Sequence, residues 1–144
     1  MLRVLNIRQP FASLIVHGIK RYETRARPTT TRGTLLIHAA SSLHWFGVDT
    51  WRKLALHRPD VAKLLKAQSL DDLPRGHIIG EVNVTAVHNA DPDRFTEFER
   101  HLAQFTPDTF ALELTNPLAW PQTFRPTGLP GIWLWSPRGK EVHA

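Results

Sequence analysis

The sequence predicts an α+β domain, a small mixed β-barrel with helices packed outside it. Three observations lead there. Five or six short strand candidates are spread along the 144 residues. The helical patterns cluster in the first two thirds and do not alternate regularly with the strands, so parallel βαβ units are not the pattern. The connections are irregular, and no internal repeat is visible.

Leu2, Val4 and Ile7 mark a first strand rich in strand formers. Pro10 suits the first turn of a helix, where its missing N–H costs nothing. Phe11, Leu14 and Ile15 recur at helical spacing and bury one face. Gly18 suits a left-handed cap after that helix. A second strand then carries Lys20, Arg21, Glu23, Arg25 and Arg27, four cations and one carboxylate within eight residues. Residues 29–33 form a polar loop. Residues 34–40 are an almost continuous apolar run, read as a buried strand ended by Ser41 and Ser42.

Residues 47–66 are helical, with Val48, Trp51, Leu54 and Ala55 on one face and Pro59 dividing the run. The second piece buries Val61, Leu64 and Leu65. Asp49 and Asp60 sit where an acid favours a helix N-terminus. After a loop over 71–76, residues 77–87 form the longest strand candidate, with Ile78, Val82, Val84 and Ala86 at period two. Gly80 within it signals a bulge or a close backbone approach. Asp91, Pro92 and Asp93 open a short helix that carries Phe95, Phe98 and Leu102. Residues 109–114 are a strand, 116–121 a proline-rich connector and 132–135 a closing strand. The whole reads as one domain over 1–136, followed by a loose tail over 137–144.

Hydrophobic residues make up 42%, enough for a core. No run of 18 apolar residues suggests a membrane span, and Arg3 and Arg8 interrupt any secretory-type stretch. With no cysteine there is no disulfide, thiol nucleophile or zinc–thiolate site. A cytoplasmic setting with no membrane partner fits these features. The net charge is +5 and unevenly placed. Residues 1–32 hold seven Lys/Arg against one acid, a net +6, while 33–144 hold eleven against twelve, a net −1. Two readings stand: a polyanion-binding surface and a basic face that aids solubility.

The run Leu5-Asn6-Ile7-Arg8-Gln9-Pro10-Phe11-Ala12, followed by Gly18-x-Lys20-x-x-Glu23-x-Arg25, resembles the ASCH domain. The likeness continues through residues 32–39, Gly80-Glu81-Val82, Asn116-Pro117 and Gly131-Ile132-Trp133, out to about Trp135. Phe11 stands where many members carry Trp. The small bacterial ASCH proteins and the domain of activating-signal-cointegrator-type coactivators are the nearest in pattern. The resemblance implies a PUA-like barrel with a cleft between barrel and helices, lined by the hallmark residues. It implies nucleic-acid binding, RNA ahead of DNA, with ribonuclease activity in some members. One branch hydrolyses the amide of N4-acetylcytidine with a lysine, a threonine and a glutamate. Lys20 falls on that lysine, whereas Glu23 stands in place of the threonine and Thr24 is one residue out of register. The branch's glutamate lies in a later helix, where Glu97 and Glu99 are the positional candidates.

Lys20 and Glu23 are the candidate catalytic pair. Lys20 offers a point charge for phosphate, or a base if burial lowers its pKa. As a surface contact it would contribute only about 0–1 kcal/mol to stability. Glu23 could pair with it in a structural salt bridge, or take a proton from a ribose hydroxyl. The two meet only if the turn at Gly18 extends through Lys20. Arg25 shares Glu23's face and either orients it or grips a phosphate. Arg8 and Gln9 precede helix N–H groups that suit an anion; for Gln9 a capping contact is the competing role. Together with Lys20, Arg21, Arg27 and Arg32 they make up the candidate nucleic-acid-binding set.

Tyr22 either stacks a base or fills a half-buried position. The tryptophans read as core, with Trp45, beside His44, as the exception. His38 reads as a core histidine or a cleft acid/base, and Glu81 as a solvated residue or a second carboxylate. No metal-ligand spacing, P-loop, dinucleotide fingerprint or nucleophile elbow is present, so no metal or cofactor is expected. The leading function is RNA binding, with metal-independent ribonuclease activity as an extension. An amidohydrolase acting on N4-acylated cytidine or a related nucleoside, and a protein-interaction module without catalysis, are the alternatives. Ligand identity and oligomeric state are open at this level.

Overall fold

A computed structural model describes residues 2–126, together with the backbone of residues 132–135 and 141–143. The strands are β1 (Leu2–Ile7), β2 (Tyr22–Arg25), β3 (Gly33–Ala39), β4 (His77–Asn89), β5 (Phe110–Phe124), β6 (Ile132–Trp135) and β7 (Glu141–His143). The helices are α1 (Phe11–Val16), α2 (Trp45–His57), α3 (Pro59–Leu64) and α4 (Glu97–His101). Pro59 ends one helix and opens the next, as its missing N–H requires. Short 3₁₀ turns cover Leu70–Asp72 and Pro92–Arg94. A capping box between Thr96 and Glu99 starts α4. No helix among the described residues is long and apolar enough to cross a membrane.

The described strands form one mixed sheet in the order β2-β5-β4-β3-β1-β6-β7. Only β1 and β3 run parallel, which sets Asn6 opposite His38; the other pairs are antiparallel. The α+β class holds, but the expected barrel does not: the sheet is open, with β2 and β7 at its two edges. Among the described residues, the four-residue β2 makes its one ladder with β5, and β7 pairs only with β6.

A second difference is β5. The proline-rich stretch expected as a connector belongs to this 15-residue strand. Pro117 and Pro121 are tolerated because the ladder with β4 is broken beside them. Glu81 pairs Leu118 and Asn83 pairs Thr115, so Asn116 (φ 50°) and Pro117 stand out of register. In the segment expected as a loose tail, Glu141–His143 pairs with β6 as β7. Residues 136–140 and 144 lie outside the described residues.

Helix α1 is buried on all sides, with Ala12 through Val16 inside. Ile15 joins Leu5, Ile7, Leu35, Ile37, Val82 and Leu112 on the sheet. Leu14 joins Trp51, Leu54, Val61, Leu65 and Leu102 in a second core among the helices. Each such side chain contributes on the order of 1.5–3 kcal/mol by burial. The close approach expected at Gly80 is present: a Cβ there would collide with the Leu118 carbonyl and come within 2.8 Å of Val16. Gly80 thus lets α1 lie directly on β4. Trp51 is core as expected, whereas Trp45 is 66% exposed. Trp133 and Trp135 lie outside the described side chains.

Candidate functional site

A cleft of about 480 Å³ opens where β1 turns into α1, beside β2 and below the start of α2. Leu5, Asn6, Ile7 and Arg8 come from the end of β1 and the turn after it. Glu23, Thr24 and Arg25 come from β2. Phe11, Ala40, Ser42, His44, Phe46 and Gln104 complete the lining. Phe11 and Phe46 stack with centroids 5.5 Å apart and planes at 21°.

Gln9 holds this corner together. It is fully buried. Its Nε2 donates to Ser13 Oγ (2.9 Å) and to the Pro74 carbonyl (2.8 Å), while its Oε1 accepts from Ser13 N (3.0 Å). Both ends of the amide are engaged within the protein, which is the capping contact. α2 packs straight onto this clasp: a Cβ at Gly47 would stand 2.6 Å from the Gln9 carbonyl oxygen.

Gly18 adopts φ +78°, the left-handed conformation expected of it. The amides of Ile19 and Lys20 both donate to the Leu14 carbonyl, at 2.9 and 3.0 Å. The turn therefore extends through Lys20 and the strand begins only at Tyr22. That is the condition under which Lys20 and Glu23 meet, and Lys20 Nζ lies 3.7 Å from Glu23 Oε1. Glu23 Oε1 also accepts from Thr24 N at 3.0 Å.

Lys20 is not an open point charge, however. It is only 3% exposed, donates to the Leu102 carbonyl at 2.7 Å and sits 5.3 Å from the Phe11 ring centroid. Burial pulls its ammonium pKa down, and Glu23 partly restores it. Glu23 faces the cleft, and Lys20 stands behind it.

Arg25 lines the cleft with its Nη1 buried and without a hydrogen-bond partner. No ion pair between Arg25 and Glu23 is present among the described residues, so of the two alternatives for Arg25 the orienting contact is absent. Arg8 is exposed at the rim. The other candidate cations lie elsewhere. Arg21 pairs with Glu99 at 2.8 Å, which raises its pKa. Arg27 is exposed outside the cleft lining, and Arg32 donates to the carbonyls of Thr29 and Thr31. Of the seven cations in residues 1–32, only Arg8 and Arg25 line the cleft.

Glu23 is the only carboxylate in that lining among the described residues. Glu81 accepts from Trp120 Nε1 at 3.1 Å. Glu99 is taken up by Arg21 and by the Thr96 cap, and Glu97 is exposed. Tyr22 takes the half-buried position, edge-on to Phe95 at 4.9 Å. No cluster of His, Asp or Glu suited to a metal occurs among the described residues.

Sequence reasoning missed Asn6, Ser42, Phe46 and Gln104. Asn6 had a signal: it is a polar residue inside an apolar strand, as His38 is in β3. Asn6 Oδ1 and His38 Nδ1 lie 2.7 Å apart. His38 is buried, which lowers its pKa, and it borders a neighbouring cavity of about 540 Å³ rather than the cleft itself. Gln104 has no local signal, because it reaches the cleft only through the packing of its buried neighbours Leu102 and Ala103.

Fold and cleft together define a small α+β domain that offers two arginines, one carboxylate and a stacked aromatic pair at a helix-covered sheet. The family model of the ASCH domain matches residues 5–124, and the chain belongs to that family. It is a family generally linked to RNA binding. The crystal structure of ASCH from Zymomonas mobilis is similar at 18% identity and a TM-score of 0.46, over 81% of this chain and 68% of that one. Two mutant forms of the same protein give 18% and 16% identity, with TM-scores of 0.45 and 0.46. They match over 81% of this chain and 70% and 69% of theirs.

Proposed function

We propose that this chain binds RNA and holds one nucleotide in the cleft between β1, β2 and α2. The observation that carries the reading is the buried, unpartnered Nη1 of Arg25 in that cleft. A buried donor without an acceptor costs about 1–3 kcal/mol, and a phosphate oxygen would remove that cost. Arg8 supplies a second cation at the rim. Phe11 and Phe46 offer an apolar wall for a base, and Glu23 accepts from an exocyclic amine or a ribose hydroxyl. The volume of about 480 Å³ suits a ligand of this size.

A salt titration with single-stranded RNA tests the reading. Affinity should fall steeply with salt, and Arg25→Ala should make the log–log slope shallower by about 0.7 per phosphate lost. Salt-independent binding, or an Arg25→Ala protein that binds like wild type, would overturn it. A DNA strand of the same sequence reports whether the 2′-hydroxyl is read.

The buried Lys20 behind Glu23 favours one second reading. In that reading Glu23, beside the buried Lys20, takes the proton of a ribose 2′-hydroxyl as its oxygen attacks phosphorus; the P–O5′ bond breaks to leave a 2′,3′-cyclic phosphate, and water protonates the departing 5′-oxygen. Glu23→Gln and Lys20→Ala proteins, purified identically to wild type, should lose cleavage. Unchanged rates remove both residues from catalysis.

A further inference from the structure

We infer that the groove between α2 and α4 is a second anion site, which carries the phosphate backbone of the RNA strand whose nucleotide occupies the cleft. This rests on the RNA reading above. The groove has a volume of about 380 Å³ and adjoins the cleft, because Phe46 lines both. Its charged lining is Lys53, Arg58 and Arg100 against a single carboxylate, Asp49, with His57 and His101 alongside.

The arrangement leaves positive charge in excess. Arg100 Nη1 donates to the carbonyls of Pro92 and Phe95, partners that do not cancel its charge. Asp49 is shared between Lys53 at 3.0 Å and Arg52 at 2.7 Å, two cations on one acid. Arg58 pairs with Asp60 outside the groove, and its guanidinium lies 5.2 Å from the Phe98 ring centroid in the groove wall. With Asp60 counted beside Asp49, the three cations of the lining stand against two acids. Lys53 and Arg58 remain 64% and 48% exposed at the side chain, so both are open to a strand.

Position selects the occupant. A strand seated in the cleft leaves it over Phe46 into a concave, basic channel. Arg27 and Arg32 line neither cavity. Trp45 stands next to this divide, 66% exposed and edge-on to Phe46 at 5.9 Å, where a following base can stack on it. The walls from Phe46, Leu54, Phe98 and Leu102 are apolar, and Lys53, Arg58 and Arg100 supply the charge that is complementary to phosphate.

The test compares uridine monophosphate with an oligouridylate of about twelve nucleotides across a salt series. The proteins are wild type, Lys53→Gln/Arg58→Gln and Trp45→Ala, each checked for an unchanged melting curve. If the groove carries the backbone, the double variant binds the monophosphate as wild type does. Its slope for the oligomer becomes shallower by about 1.4, for two lost phosphate contacts, and Trp45→Ala weakens the oligomer only. If wild type binds both ligands and the double variant keeps the full oligomer slope, the groove proposal is overturned while the cleft reading stands. If wild type binds neither, the RNA reading fails and the groove proposal with it.

Discussion

Lys20 Nζ lies 3.7 Å behind Glu23 Oε1, with the lysine enclosed by the protein and the carboxylate on the cleft. The family hallmark is thus split between a buried support and a presented acceptor. Removing the support should be expensive. Lys20→Ala loses the bond to the Leu102 carbonyl and leaves Glu23 without its counter-charge. Breaking a buried pair costs about 3–5 kcal/mol, and the residual exposure of Glu23 puts this case at the lower end. Chemical denaturation of Lys20→Ala and Lys20→Met measures it, with Met costing less because it keeps the stem against Phe11. A wild-type midpoint for Lys20→Ala would return the residue to the surface role that its charge alone suggests.

Gln9 should behave as a clasp. Gln9→Ala leaves the Pro74 carbonyl and the Ser13 groups without their partner, at about 1–3 kcal/mol for buried polar groups left unpaired. The salt slope of RNA binding should stay at the wild-type value. A shallower slope with unchanged stability would make Gln9 a ligand contact instead.

Gly47→Ala tests the docking of α2 on the cleft wall. The added Cβ would stand 2.6 Å from the Gln9 carbonyl oxygen and 3.3 Å from Cδ of the Pro10 ring, which is closed onto the backbone. Neither can swing away, so α2 must shift. Overpacking of this kind costs about 1–3 kcal/mol. Because Phe46 precedes Gly47, ligand affinity should fall along with the melting temperature. Full stability in Gly47→Ala would show that the corner is loose.

His38 gives the fold a pH dependence on the acid side. Burial holds its pKa below the ordinary 6.5, with His77 adding to the decrease and the Gly76 backbone opposing it. The folded state therefore favours the neutral ring that meets Asn6. The contribution is complete above pH 6.5, declines as pH falls from 6.5 through the folded pKa, and is level below that value. His17 is lowered in the same sense by burial and by Lys66, so it adds to the same window. Melting curves between about pH 7.5 and 5 should fall for wild type and fall less for His38→Gln. An identical pH profile in the two proteins would exclude His38 as a contributor.

Much of the chain was legible locally. β1, α1, β3 and β4 follow from apolar periodicity, and the break at Pro59 and the turn at Gly18 from backbone chemistry. The hallmark spacing led to the family. The reading failed where long-range pairing outweighed local preference. Pro117 and Pro121 argue for a connector, yet β4 takes them into a bulged strand. The two open edges of the sheet leave no trace in any single segment, because closure depends on where the first and last strands in the order lie. Lys20 looks like a surface cation until the Leu102 carbonyl, 82 residues away, meets its ammonium.

By itself, the sequence determined the absence of thiol chemistry, the basic excess in residues 1–32, the α+β class and the turn at Gly18. These depend on composition, or on contacts a few residues apart. Which cations face the cleft was decided only in three dimensions. The pairing of β2 with β5, opposing Glu23 to Leu112 and Arg25 to Phe110, fixes how Glu23 and Arg25 face the cleft, while Arg21 precedes that ladder and meets Glu99 of α4. α2 and α4 likewise bring Lys53, Arg58 and Arg100 to one groove, from a region whose summed charge is slightly negative. Side-chain direction follows strand register and helix docking, and both are set by partners far away in the chain.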